Sequence, residues 1–167
     1  RLWQENKITV AEEHMATAIT QYVMAQIYGR FEERDTTRGS VVITGIEGEL
    51  HQIGANMVAD VIESRGWNVR FLGTNLPHDG VLQAIEEHQA DTIGISATTL
   101  LSIPKAVRLV EAIRHKFQAV SPRIILGGRA FLATPALAQE LNAEGPAMDL
   151  RSALSLISIG ESGARLS

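Results

Sequence analysis

The sequence predicts an α/β fold: a doubly wound, parallel five-stranded sheet, flavodoxin-like or Rossmann-like, preceded by one long helix. Two observations carry this expectation. From Ser40 onward, short apolar runs rich in Val and Ile alternate with amphipathic stretches at helical spacing. Strands that read as unbroken apolar runs belong to parallel sheets covered on both faces, and right-handed crossovers then leave doubly wound sheets as the leading architectures. The second observation is size and balance. A chain of 167 residues, 45% hydrophobic and 20% charged, is long enough for one well-cored domain with a small helical appendage.

The leading segment TVAEEHMATAITQYVMAQIYGRFEER reads as the helix. Thr9 followed three residues later by Glu12 is a capping box, which satisfies orphan amides at a helix start. Val10, Met15, Ile19, Tyr22, Val23, Ile27 and Phe31 follow helical spacing. The polar stretch DTTRGS (35–40) is a connector. Strands are expected at VVITG (41–45), NVRFLG (68–73), TIGISA (92–97), RIILGG (123–128) and AMDL (147–150), with helices near 53–65, 79–89, 103–117 and 134–142. The tail SLISIGESGARLS reads as loosely structured.

Composition removes several functions. The net charge of −4 offers no electrostatic reason for nucleic-acid binding. No apolar run approaches the roughly 20 residues of a membrane helix, and no signal peptide is visible. The absence of cysteine excludes disulfides and thiolate metal sites and fits a cytoplasmic protein. The chain begins at Arg1 rather than Met, which predicts that it is part of a longer polypeptide.

In doubly wound sheets, ligands bind beyond the carboxyl ends of the strands, where strand order reverses. The loops expected there collect His51, Asn75, Ser96, Thr98, Thr99, Gly127 and Gly128 on one rim. Glu49 lies two residues from His51, where a carboxylate can accept one imidazole N–H, fix the tautomer and leave the other nitrogen free for a metal. Gly54 lets a bulky group approach the start of the following helix. Ser96 and Thr98 read equally well as loop hydroxyls satisfying backbone groups, and Gly127–Gly128 as a tight turn.

Taken together, GELHQIG, LGTNLP, ISATTLL and ILGGRAF resemble the cobalamin-binding domain of methionine synthases, corrinoid proteins and base-off mutases. The resemblance implies cobalamin as cofactor, with His51 replacing its dimethylbenzimidazole as lower ligand to cobalt and Glu49 supporting that histidine. It implies a displaced nucleotide tail running past Ser96 and Thr98, with Gly127 and Gly128 making room. Leu50, Gln52, Ile53, Gly54, Asn75, Leu76, Thr99, Arg129, Ala130 and Phe131 are then cofactor contacts within the same motifs. Glu stands where methyltransferases and mutases usually carry Asp, which points to a subgroup.

At the other end, Trp3 followed by Glu13 and His14 resembles the signature in the helical bundle of CarH/LitR-type cobalamin photoreceptors, where it packs around the adenosyl group. Those proteins commonly have a histidine directly after the tryptophan; here it is Gln4. The difference implies another photoproduct or a second chromophore, as in photocobilins, which add a bilin such as biliverdin. The domain expectation is 1–35 as the end of a helical cap, 40–157 as the cobalamin-binding domain and 158–167 as tail.

The leading functional expectation is a light-responsive sensory module binding adenosylcobalamin, with output in a fused domain or partner and a homo-oligomer possible. The alternative is a corrinoid carrier for methyl transfer. A mutase would need a substrate barrel that 167 residues cannot also contain. A phosphoacceptor receiver would need acidic strand ends where Gly45–Ile46 and Ser96–Ala97 stand. No catalytic constellation is visible, so the chain is not expected to be an enzyme.

Overall fold

The computed structural model describes residues 5, 7–31 and 38–159. The chain divides into two compact units, Arg1–Glu33 and Arg34–Ser167.

The first unit contains α1 (Val10–Tyr28). Its capping box is formed: the Thr9 amide donates to Glu12 Oε2 at 2.7 Å, and the Glu12 amide donates to Thr9 Oγ1 at 3.2 Å. No residue of α1 is buried, although its apolar positions follow helical spacing.

The second unit is a five-stranded, wholly parallel sheet in the order β2-β1-β3-β4-β5. The strands are β1 (Ser40–Gly45), β2 (Asn68–Phe71), β3 (Thr92–Ser96), β4 (Arg123–Gly127) and β5 (Glu144–Ala147). This is the flavodoxin-like order, whose reversal lies between β1 and β3. Strand residues alternate between two cores because successive side chains point to opposite faces. Val42, Ile93, Ile95, Ile124 and Leu126 pack on one face against α3 (His78–Glu87) and α4 (Ile103–Phe117), with Ala130 and Phe131 of α5 (Arg129–Ala133). Val41, Ile43 and Ile125 pack on the other face against α2 (Ile53–Glu63) and α7 (Leu150–Ile159). Each such Ile or Val removed from water stabilises the fold by roughly 1.5–3 kcal/mol.

Three local expectations are corrected. The last strand lies three residues earlier than AMDL, at Glu144–Ala147, because the strand-breaking Pro146 is tolerated at a sheet edge. The helix expected over 134–142 is only the short α6 (Ala136–Glu140), and a second short helix, α5, precedes it, the two divided at Pro135, which disfavours helical backbone at Thr134. The stretch expected to be loose is helical as far as Ile159, since Leu154, Leu156 and Ile157 pack against the second core; residues 160–167 lie outside the described residues. His78 Nε2 is buried without a hydrogen-bond partner among the described residues.

Candidate functional site

The reversal of strand order opens a crevice between the loops that follow β1 and β3, and one buried carboxylate joins them. Glu49 is 2% exposed. Its Oε1 accepts the amides of Leu50 at 3.0 Å and His51 at 3.1 Å, and lies 2.5 Å from His51 Nδ1. Its Oε2 accepts the Thr98 amide from the other loop at 2.7 Å. Burial alone would raise this carboxyl, but the His51 ring and the His51 and Thr98 amides outweigh it and hold it below the usual carboxylate range. The His51 side chain is itself two-thirds exposed. Nδ1 is held by the carboxylate, so Nε2 is the nitrogen left for a ligand, and it makes no hydrogen bond among the described residues.

Beneath His51 a cavity of about 460 Å³ runs between α2, α7 and the sheet. Its floor follows from register. Gly94 lies between Ile43 and Ile125 across three strands, and Ser96 lies beside Gly127 two residues further along. A Cβ at Gly94 would make only ordinary contacts with Ile43, so the neighbouring packing does not require this glycine; its missing side chain leaves a notch in the floor. Gly127 likewise has room for a Cβ against Ala147. Gly128 does not: its φ is +92° and a Cβ would collide with the Ala97 carbonyl.

Of the residues expected at the site, His51, Gly54, Ser96, Thr98, Gly127, Gly128 and Arg129 line this cavity together. Asn75 instead joins loops, accepting the Gly48 amide at 2.8 Å with its own φ at 64°. Thr99 Oγ1 lies 2.9 Å from Ser102 Oγ at the start of a short 3₁₀ turn. Leu50 is exposed, Gln52 and Ile53 open α2, and Leu76 packs on the first core, none of them at the cavity. Ala130 and Phe131 also depart from expectation: they are buried in the first core and do not line the cavity. Glu13 and His14 stand in α1, their side chains 3.7 Å apart, and Glu13 accepts from Thr17 Oγ1. Trp3 and Gln4 lie outside the described residues.

Sequence reasoning missed Gly94 and the whole α7 wall, including Leu150, Ala153 and Ile157. A glycine inside a strand is a signal for close approach of another group, and TIGIS carries it. The α7 wall carried no such signal: Leu150 fell in the expected strand AMDL, and Ile157 in the stretch expected to be loose.

Among the described residues there is no group of three His, Asp or Glu side chains able to hold a metal ion. A metal bound through His51 would therefore have to bring its other ligands with it, as one inside a macrocycle does. A single imidazole with a fixed tautomer above a deep slot fits such a group.

Comparison with known proteins agrees with this geometry. Residues 39–154 match the family model described as B12 binding domain. A corrinoid protein of Desulfitobacterium hafniense strain Y51 is 25% identical over 147 residues, covering 86% of this chain and 67% of its own. Dimethylamine corrinoid protein 1 of Methanosarcina acetivorans is 26% identical over 110 residues, covering 65% of this chain and 51% of its own. The chain thus spans from about half to two thirds of the length of these relatives. The monomethylamine corrinoid protein of Methanosarcina barkeri shares the fold, with a TM-score of 0.79, 17% identity, and coverage of 95% of this chain and 75% of that one.

These relatives correct the functional expectation. The matching proteins are corrinoid proteins, two of them named for methylamines, which favours the carrier alternative over a light-responsive sensor. Neither the adenosyl form of the cofactor nor a bilin finds support in them. The feature that suggested light sensing was a spaced Trp, Glu and His. Neighbouring Glu13 and His14 on a capped helix supply the last two positions of that pattern without any chromophore.

Proposed function

The chain belongs to the B12-binding domain family, and from that premise we propose that it is a corrinoid-carrying module of a methyl-transfer system. The observation that carries the reading is the Glu49–His51 pair at the mouth of the cavity. His51 Nε2 would hold the cobalt of a bound corrinoid, and Glu49 fixes the tautomer that leaves this nitrogen free. Ser96, Thr98 and Gly127, which line the cavity, would receive the cofactor's nucleotide tail. When bound, the corrinoid supplies a cobalt that takes up and releases a methyl group. The chain's own residues bind and orient it: the buried carboxylate holds the ring of His51, and the Thr98 amide pins the opposite loop to the same carboxylate.

In this reading the methyl-transfer chemistry belongs to partner methyltransferases that load and unload the carrier, and the chain is not itself an enzyme. Residues 40–157 form the corrinoid-binding module, and α1 precedes it in sequence.

The test is an absorption spectrum of the purified protein with hydroxocobalamin. The wild type should give the spectrum of cobalamin with imidazole in place of its own base, and His51→Ala should lose it and retain the cofactor less well. An unchanged cobalt spectrum in His51→Ala would sink the assignment. Protein loaded with methylcobalamin should then yield its methyl group to a thiol when a corrinoid-dependent methyltransferase is added.

A further inference from the structure

The cavity beneath His51 is polar only at its mouth, and this bears on which tail it admits. Depth along it follows from the topology. Strands end at the rim, and the helices that follow run back down from it. Ser96, Thr98, Arg129 and Asp149 are therefore near the mouth with His51. Further down, α2 contributes Ala55, Val58 and then Ile62, and α7 contributes Ala153 and then Ile157. The floor at that level is the row Ile43–Gly94–Ile125. No side chain there can donate or accept a hydrogen bond. The strand amides and carbonyls beneath are engaged in the parallel ladder.

We infer that this cavity selects corrinoids by the base at the end of the nucleotide tail. It takes bases with an apolar edge, such as dimethylbenzimidazole or a cresol ring, and rejects purines. The inference rests on the proposed function, since it requires that the tail enters the cavity. The physical reason is an asymmetry. A methylated benzo ring gains from contact with Ile62, Ile157 and the notch at Gly94. The exocyclic amine and ring nitrogens of adenine would lose water there and find no partner. One such group left unsatisfied weakens binding by about tenfold or more. An apolar pocket disfavours a ligand that brings an unpartnered polar group by up to about a hundredfold, so the discrimination is graded rather than absolute.

The experiment is a binding series on the wild-type chain, read by absorption and calorimetry. Its probes are cobalamin, a cresol-tailed cobamide, an adenine-tailed cobamide and cobinamide, which has no nucleotide tail. The expected order is cobalamin and the cresol-tailed form tight, with the adenine-tailed form at least about tenfold weaker and close to cobinamide. Equal affinity for all three tailed forms, each tighter than cobinamide, would overturn the selectivity while leaving the proposed function standing. Equal affinity for all four, cobinamide included, would show that no tail enters the cavity and would overturn the selectivity, whereas failure of all four to bind would overturn the proposed function as well.

Discussion

Glu49, almost wholly buried, holds the exposed ring of His51 by its Nδ1 and with its other oxygen takes the amide of Thr98 across the strand-order reversal. One carboxylate thus does two jobs. It sets which imidazole nitrogen faces outward, and it fixes the spacing of the two loops that flank the crevice.

Replacing it separates those roles from simple packing. Glu49→Gln keeps the shape but puts an amide NH₂ where one of the present donors points, so one donor loses its acceptor. A buried donor left unsatisfied costs about 1–3 kcal/mol, so the denaturation midpoint should fall. Loss of a carboxylate supporting a ligating histidine typically weakens metal affinity by about 10–100-fold, and corrinoid retention should fall in that range. Titration of both proteins with hydroxocobalamin, beside urea denaturation of each, checks the two effects independently. Equal retention would mean that Glu49 organises the loops without tuning the ligand.

The two glycines at the end of β4 should behave differently. Gly127→Ala adds a methyl group that meets Ala147 at ordinary contact distance, so the fold should tolerate it. Gly128→Ala forces a side chain into a backbone with φ of +92° and against the Ala97 carbonyl. Strain of this kind costs on the order of 1–3 kcal/mol, and urea denaturation should show it in Gly128→Ala alone. Similar losses in both variants would contradict the assignment of Gly128 as the constrained position.

How much of this was legible in the sequence depends on which interaction decides each element. The strands β1, β3 and β4 were readable because a strand covered on both faces is apolar nearly throughout, as VVITG and RIILG are. The edge strand β2 shows alternation instead, with Asn68 and Arg70 exposed and Val69 and Phe71 turned inward. The other edge strand, β5, was not readable, since EGPA carries Pro and Gly and is held by its place beside β4 rather than by its own composition. His51 and Glu49 were readable as a pair because their chemistry is local: two residues apart, in a loop after a strand. The α7 wall was not, because what makes Ala153 and Ile157 line a cavity is the trough in the opposing sheet, which is a tertiary fact. Phe131 shows the converse case. Membership of a motif suggested cofactor contact, whereas an aromatic residue on a short helix covering the sheet is drawn into the core.

Gly94 tests the trough directly. Gly94→Val places a branched side chain in the notch between Ile43 and Ile125, where a Cβ meets nothing closer than 3.5 Å. The fold should therefore survive, and thermal denaturation should show a two-state transition near that of the wild type. Cobalamin affinity should fall toward that of tail-less cobinamide, while cobinamide affinity should not change. Full cobalamin affinity in the folded variant would mean that the tail stops short of the notch.

The wall opposite α2 depends on how α7 begins. Asp149 precedes the helix and accepts the Ser152 amide at 2.8 Å, while Ser152 Oγ accepts the amides of Met148 at 2.8 Å and Asp149 at 2.9 Å. These contacts, the Ser152 amide first and then its hydroxyl, hold the Asp149 carboxyl below its usual range. The sign follows from linkage. A carboxyl depressed in the folded state adds stability that is fully present above its unfolded pKa, about 3.9. That stability is lost as pH falls through the lower folded value. The urea midpoint of Asp149→Ala should therefore lie below that of the wild type at pH 7. The gap should stay constant down to about pH 5 and narrow below about pH 4. Asp149→Asn, which keeps an acceptor for the Ser152 amide without the charge, should lose less at pH 7 and show little narrowing. A gap that does not change with pH in Asp149→Ala would assign the cap to shape rather than to the ionised carboxylate.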